Sequence, residues 1–168
     1  MKRILILILT CLSLLLLSCS AKENSPKFSL PLKIGAKLSG TDVVFTADIS
    51  ENGCDVIFES PEELKNVILK FREDGNTAKV GDFERKIKKN TFPAQESFID
   101  AIRKIASSEE FIASEEGTKY TIDETVIMVY YDKDNDAIKR IETEENGRRF
   151  CFDVVGLKFY EAQSESEG

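Results

Sequence analysis

The chain has no histidine and no tryptophan. Without imidazole it cannot run Ser-His-Asp or Cys-His catalysis, and it lacks the usual near-neutral acid–base group and the commonest metal ligand. It also lacks a Gly-rich phosphate loop and the Gly-x-Ser-x-Gly elbow of α/β-hydrolases. Two carboxylates suffice for glycoside hydrolysis, but their spacing is tertiary and no sequence feature singles out a pair. The reading is of a non-catalytic protein without a cofactor. Basic residues are also scarce: 23 against 30 acidic, for a net charge of −7. Such a chain carries no electrostatic footprint for nucleic acid. The acids are scattered, with Glu161, Glu165 and Glu167 gathered at the end of the chain, and read as solvated surface.

Only one long apolar run occurs, and it lies at the start. Lys2 and Arg3 precede a nearly unbroken apolar stretch from Ile4 to Leu17, and Ser18 and Cys19 follow. A short positive segment, ~7–15 apolar residues and a small residue describe a secretory signal peptide. A spanning helix needs ~20 apolar residues. Leu16-Leu17-Ser18-Cys19 resembles the bacterial lipobox, in which the cysteine thiol takes a diacylglycerol thioether and becomes the first residue after cleavage. The resemblance implies a chain anchored by Cys19 to the extracytoplasmic face of the cell membrane. Residues 1–18 would then be a cleaved signal, and 150 of the 168 residues would remain. The 23 basic residues less Lys2 and Arg3 leave 21 against 30 acidic ones, net −9.

Four cysteines are present. Cys11 leaves with the signal and Cys19 takes the lipid. Cys54 and Cys151 remain, and an extracytoplasmic compartment permits a disulfide between them. Their strand phases oppose: Cys54 shares a face with Val56 and Phe58, and Cys151 with Arg149 and Asp153. The reading favours free thiols. Cys54, with no histidine to lower its pKa, reads as a small buried hydrophobe.

Residues 19–31 are polar and Pro-containing and read as a tether. Residues 32–162 read as one domain and 163–168 as a polar disordered tail. Period-two alternation marks strands at 43–49, 54–59 and 67–72, with Asn52-Gly53 and Asp74-Gly75 as turns. The Asp74-Gly75 turn leads to Thr77–Val80, and a weaker strand includes Phe83, Arg85 and Ile87. From Pro93 to Ser107 the period changes: Ala94, Phe98, Ala101, Ile102 and Ile105 make one helical stripe, with Gln95, Glu96, Asp100, Arg103 and Lys104 on the wet side. Strands resume at 119–122, 125–131, 137–143, 149–155 and 157–160. The run Val126–Tyr131 is apolar on both faces and reads as covered on both sides. This order predicts an α+β fold, a curved antiparallel sheet packed on one main helix.

Asp132-Lys133-Asp134-Asn135-Asp136 begins like a calcium loop, but Ala137 and Thr143 stand where glycine and the bidentate glutamate belong. A hairpin tip closed by Asx turns is the better account, and no metal is expected.

The stretch Gly53-x-x-Val56-x-Phe58-x-x-Pro61-x-x-Leu64, then an apolar strand, Asp74-Gly75 and a later helix, resembles the LolA/LolB-like lipoprotein-carrier half-barrels over roughly residues 36–160. The resemblance implies a concave apolar side that receives acyl chains, on which Phe45, Val56, Phe58, Leu69 and Phe71 would lie. A helix of fifteen residues is ~22 Å long and covers ~10 Å of width. Seven or more strands at ~4.8 Å spacing are wider, so part of that face should stay uncovered unless curvature or loops close it. Two readings of function follow. One is a membrane-anchored binder of an acyl chain or other apolar ligand. The alternative is a surface module with a filled core that contacts a protein partner.

Overall fold

The computed structural model describes residues 28–108, 110–114 and 116–160. The signal and Cys19, most of the tether, and the tail lie outside the described residues. Eleven antiparallel strands form one sheet: β1 (Leu32–Leu38), β2 (Val44–Ile49), β3 (Gly53–Ser60), β4 (Val67–Arg72), β5 (Asn76–Val80), β6 (Phe83–Ile87), β7 (Ile112–Ala113), β8 (Thr118–Ile122), β9 (Thr125–Tyr131), β10 (Ile138–Glu145) and β11 (Arg148–Phe159). Helix α1 (Pro93–Ser107) interrupts them after β6. The spatial order is β6-β5-β4-β3-β2-β1-β11-β10-β9-β8-β7. Two meanders, one from each half of the chain, meet where β1 pairs β11.

Alternation decides the faces. In β2, Phe45, Ala47 and Ile49 are buried while Val44, Thr46 and Asp48 are half-buried. Cys54, Val56 and Phe58 of β3, and Leu69 and Phe71 of β4, continue the inner face. Residues directly opposite in antiparallel strands share a face. Val56 pairs both Ala47 and Leu69, so the inner rows run unbroken across the strands.

Helix α1 fills the concavity. Pro93 opens it, where a missing N–H costs little. The Glu96 carboxylate accepts the backbone N–H groups of Asn90 (2.8 Å) and Phe92 (3.3 Å), satisfying donors at the helix start. Its inner stripe, Ala94, Phe98, Ile99, Ala101, Ile102 and Ile105, is buried. Phe98 meets Phe45 at 5.4 Å and Phe152 at 4.8 Å between ring centres, joining β2 to β11 through the helix. Ser97 reaches Thr143 of β10 (2.7 Å), and Lys104 donates to Thr125 of β9 (2.6 Å). One helix touching strands this far apart requires the sheet to curve around it.

Several expectations are corrected. Strand β1, at the centre of the sheet, was not foreseen, nor was the two-residue β7. Arg148–Phe159 forms one strand where two, 149–155 and 157–160, were expected, with a bulge opposite Gly35–Ala36. Gln95, read as wet, is buried. Among the described residues no second layer covers the outer side of β9, where Val126, Met128 and Tyr130 are half-buried. Phe28, inside the segment read as tether, is buried with the core.

Candidate functional site

Phe45, Val56, Phe58, Leu69 and Phe71 do lie together on the concave face, but all are buried there among core side chains. In this structure they present no open surface, except that Phe71 also borders the groove described next.

The helix does not cover the whole concave face. Register carries the inner rows outward from β4: Val67 pairs Val80, which pairs Phe83, and Leu69 pairs Ala78, which pairs Arg85. On this β4–β6 wing burial fails. Val80 is 49% exposed and Phe83 86%. Asn76 pairs Ile87, which is half-buried, so the inner side of β6 reads Phe83, Arg85, Ile87.

A groove of about 1070 Å³ opens over α1. That is at the upper end of the ~300–1,000 Å³ usual for small-molecule sites. Its apolar lining is Phe71, Ile87, Pro93, Ile99 and Phe150. The β4–β5 turn walls one side and the β10–β11 turn another, while Glu96, Ser97, Asp100, Arg103 and Lys104 of α1 form its floor. Five acidic and five basic side chains line it, so its selectivity depends on which charges are already engaged. Arg72 is held by the Asp55 carboxylate and by the carbonyls of Cys54 (2.8 Å) and Phe71 (3.0 Å). Lys104 pairs with Asp100 at 2.8 Å. Arg103 makes one long bond, Nη2 to the Ser50 carbonyl at 3.4 Å. Its Nε is buried and has no acceptor among the described residues. Helical periodicity marks Arg103 only as a wet-side residue; its isolation depends on side chains distant along the chain.

The outer face carries a second polar cluster. Glu142 is buried, paired in register with Cys151. It accepts from Arg149, and from Tyr130 Oη at 3.3 Å. Burial works to raise its pKa, but the Arg149, Tyr130 and Cys151 hydrogen bonds prevail and hold the carboxyl below the ordinary value. Asp153 accepts from Arg140 Nε (2.9 Å) and Ser39 Oγ (3.0 Å), which outweigh burial in the same way. Burial, then the Glu142 charge, raises the Cys151 thiol. A thiol held in its neutral form is a poor nucleophile.

Cys54 and Cys151 are both free. They stand on opposite faces, with β2 and β1 between their strands, so a bridge would have to pass through the sheet. Burial pushes the Cys54 thiol up to about 12. In the 132–136 loop, Asp132 Oδ1 accepts the N–H of Asp134 and Asn135 Oδ1 that of Ala137, both at 2.9 Å. These are the Asx turns expected at a polar hairpin tip.

No protein-family model matches the chain. No curated protein matches it either. Among solved structures it is similar to a LolA superfamily protein from Nitrosomonas europaea, with 7% sequence identity and a TM-score of 0.36, over 78% of this chain and 84% of that one. At such a score and identity, function has to be read from this chain's own residues.

Proposed function

We propose that this protein is a membrane-anchored, non-catalytic lipoprotein that binds a single-chain amphiphile along the groove between α1 and the β4–β6 wing. One observation carries the reading: the inner side of the sheet runs past the helix, where half-buried Ile87 lines the groove with Phe71 and Ile99, and Val80 and Phe83, 49% and 86% exposed, extend the same side of the wing beyond the groove's lining. An apolar strip continuous with a core, beside a groove of this volume, offers an acyl chain a surface to lie on. The packed interior beneath α1 holds the fold, and the ligand lies outside it. The lipid on Cys19 keeps the domain within tether reach of the membrane that supplies such ligands.

Titration with a dansyl-labelled fatty acid tests the site. Saturable binding is expected, weakened at least several-fold by Ile87→Glu, which alters the lining, and less by Phe83→Glu, which lies beyond it. Phe83 is exposed and Ile87 half-buried, so circular dichroism is used to confirm that each variant keeps the wild-type fold. Binding that never saturates below the probe's solubility limit refutes the site. The anchor is tested separately by metabolic labelling with an alkyne fatty acid: wild type should label and Cys19→Ala should not. Label retained on Cys19→Ala would exclude that attachment point.

The same exposed Phe83 on an edge strand also favours the second reading, a protein partner adding to β6. Mutation of Phe83 that leaves fatty-acid binding unchanged would bring that reading forward.

A further inference from the structure

We infer that Arg103 is the anion-receiving residue of the groove, and that it selects ligands whose polar end is a carboxylate. The inference rests on the groove reading above and adds to it the chemistry of the ligand's head.

A guanidinium carries five N–H donors in a planar fork matched to a carboxylate. Arg103 uses one of them on a protein acceptor, at 3.4 Å. Its Nε is closed off from solvent and has no acceptor among the described residues. A buried donor left in that state carries its desolvation penalty uncompensated. Arg72, which borders the same groove, shows the contrast: three of its donors are taken, by Asp55 and two backbone carbonyls. Lys104 is likewise committed, to Asp100 and Thr125.

The neighbouring acids do not serve Arg103. Asp100 is paired with Lys104, and Glu96 accepts backbone N–H groups at the helix start. Glu51, on the next residue after Ser50, lines the groove without forming an ion pair to Arg103 in this structure. A modest rotation of the side chain away from Ser50 turns its Nε–Nη edge into the groove. There a ligand carboxylate can take two parallel hydrogen bonds while its chain runs along Phe71 and Ile87. The rim acids oppose anions in general, so affinity has to come from this two-point contact and not from net charge.

The test compares two probes with the same chain and different heads, dodecanoate and dodecyl maltoside. Both are titrated below their micelle concentrations into a chain that starts at residue 19 with Cys19→Ser and retains every described residue. Wild type is expected to bind dodecanoate about tenfold tighter than dodecyl maltoside, the scale of one charge-assisted contact. Arg103→Gln should abolish that difference by weakening dodecanoate alone. Arg103→Lys, which keeps the charge and loses the fork, should fall between. Circular dichroism checks that the variants are folded. Equal affinity for the two probes in wild type, or an unchanged ratio in Arg103→Gln, overturns the role of Arg103 and leaves the groove reading standing. No binding of either probe overturns both.

Discussion

At Glu142 a carboxylate faces the outer side of the sheet, where alternation alone would leave it in water, and it is nevertheless buried. Alternation along β10 shows which way the residue points. It cannot show that Tyr130 from β9 and Arg149 and Cys151 from β11 will close over it, because that depends on the register of β9, β10 and β11. The sequence was similarly clear about which way Cys54 and Cys151 point and silent about Arg103. The Glu142 cluster has a pH signature. The fold holds this carboxyl below its ordinary value of 4.5, chiefly through Arg149 against the opposing effect of burial. A depressed folded pKa gives stability that is complete above the unfolded value and is lost as pH falls through the folded one. At pH 7, Glu142→Gln should therefore destabilise the domain by about 1 kcal/mol, since Arg149 is largely in water and screening discounts its share. The gap between variant and wild type in urea unfolding should shrink steadily below pH 4.5. A gap that stays constant down to pH 3 would show that the carboxylate's charge is irrelevant.

Strands bounded by turn signals were legible as elements, and so was the helix with its change of period. Strand β1 was not, although Leu32, Ile34, Ala36 and Leu38 alternate with Lys33 and Lys37. Pro31 before it and Gly35 within it look like punctuation, and only its partners show what Gly35 does. Val155 is the extra residue of the β11 bulge, and a Cβ on Gly35 would lie 2.9 Å from its Cγ2. Val155 is 58% exposed and can turn aside. Gly117, just before β8, faces a harder neighbour: a Cβ there would collide with the backbone carbonyl of Val129. Backbone in a paired strand cannot yield without loosening the β8–β9 ladder. Gly117→Ala should therefore cost about 1–3 kcal/mol, in the range of overpacking. Gly35→Ala should cost less than about 1 kcal/mol, helped by the lower chain entropy of alanine. Urea midpoints of the two variants decide this, and equal losses would contradict the distinction between a movable side chain and fixed backbone.

Across the whole molecule, stability should grade from the seam of the sheet to its edges. The seam is made by strands from opposite ends of the chain, β1 pairing β11 over Leu32–Leu38, and its inner residues Leu32, Ile34, Ala36 and Phe152 are buried completely. Phe98 ties this seam to β2 through the helix. The edges have no such support. Strand β6 contains no buried residue, and both residues of β7 are exposed. Local opening is cheapest where few apolar contacts hold a strand and its backbone hydrogen bonds are wet. Amide hydrogen exchange should therefore show the slowest protons in β1, β2 and the Cys151–Asp153 part of β11, with β6 and β7 orders of magnitude faster. The gradient bears on function because the Ile87 end of β6 also lines the groove. If an acyl chain in the groove lies against Ile87, it adds missing apolar contacts to that edge alone. Saturating dodecanoate should slow exchange in β5 and β6 and leave β7, at the opposite edge, unchanged. Equal slowing at both edges would mean that the ligand stabilises the domain globally, and uniform slow exchange without ligand would mean that the sheet opens as a single unit.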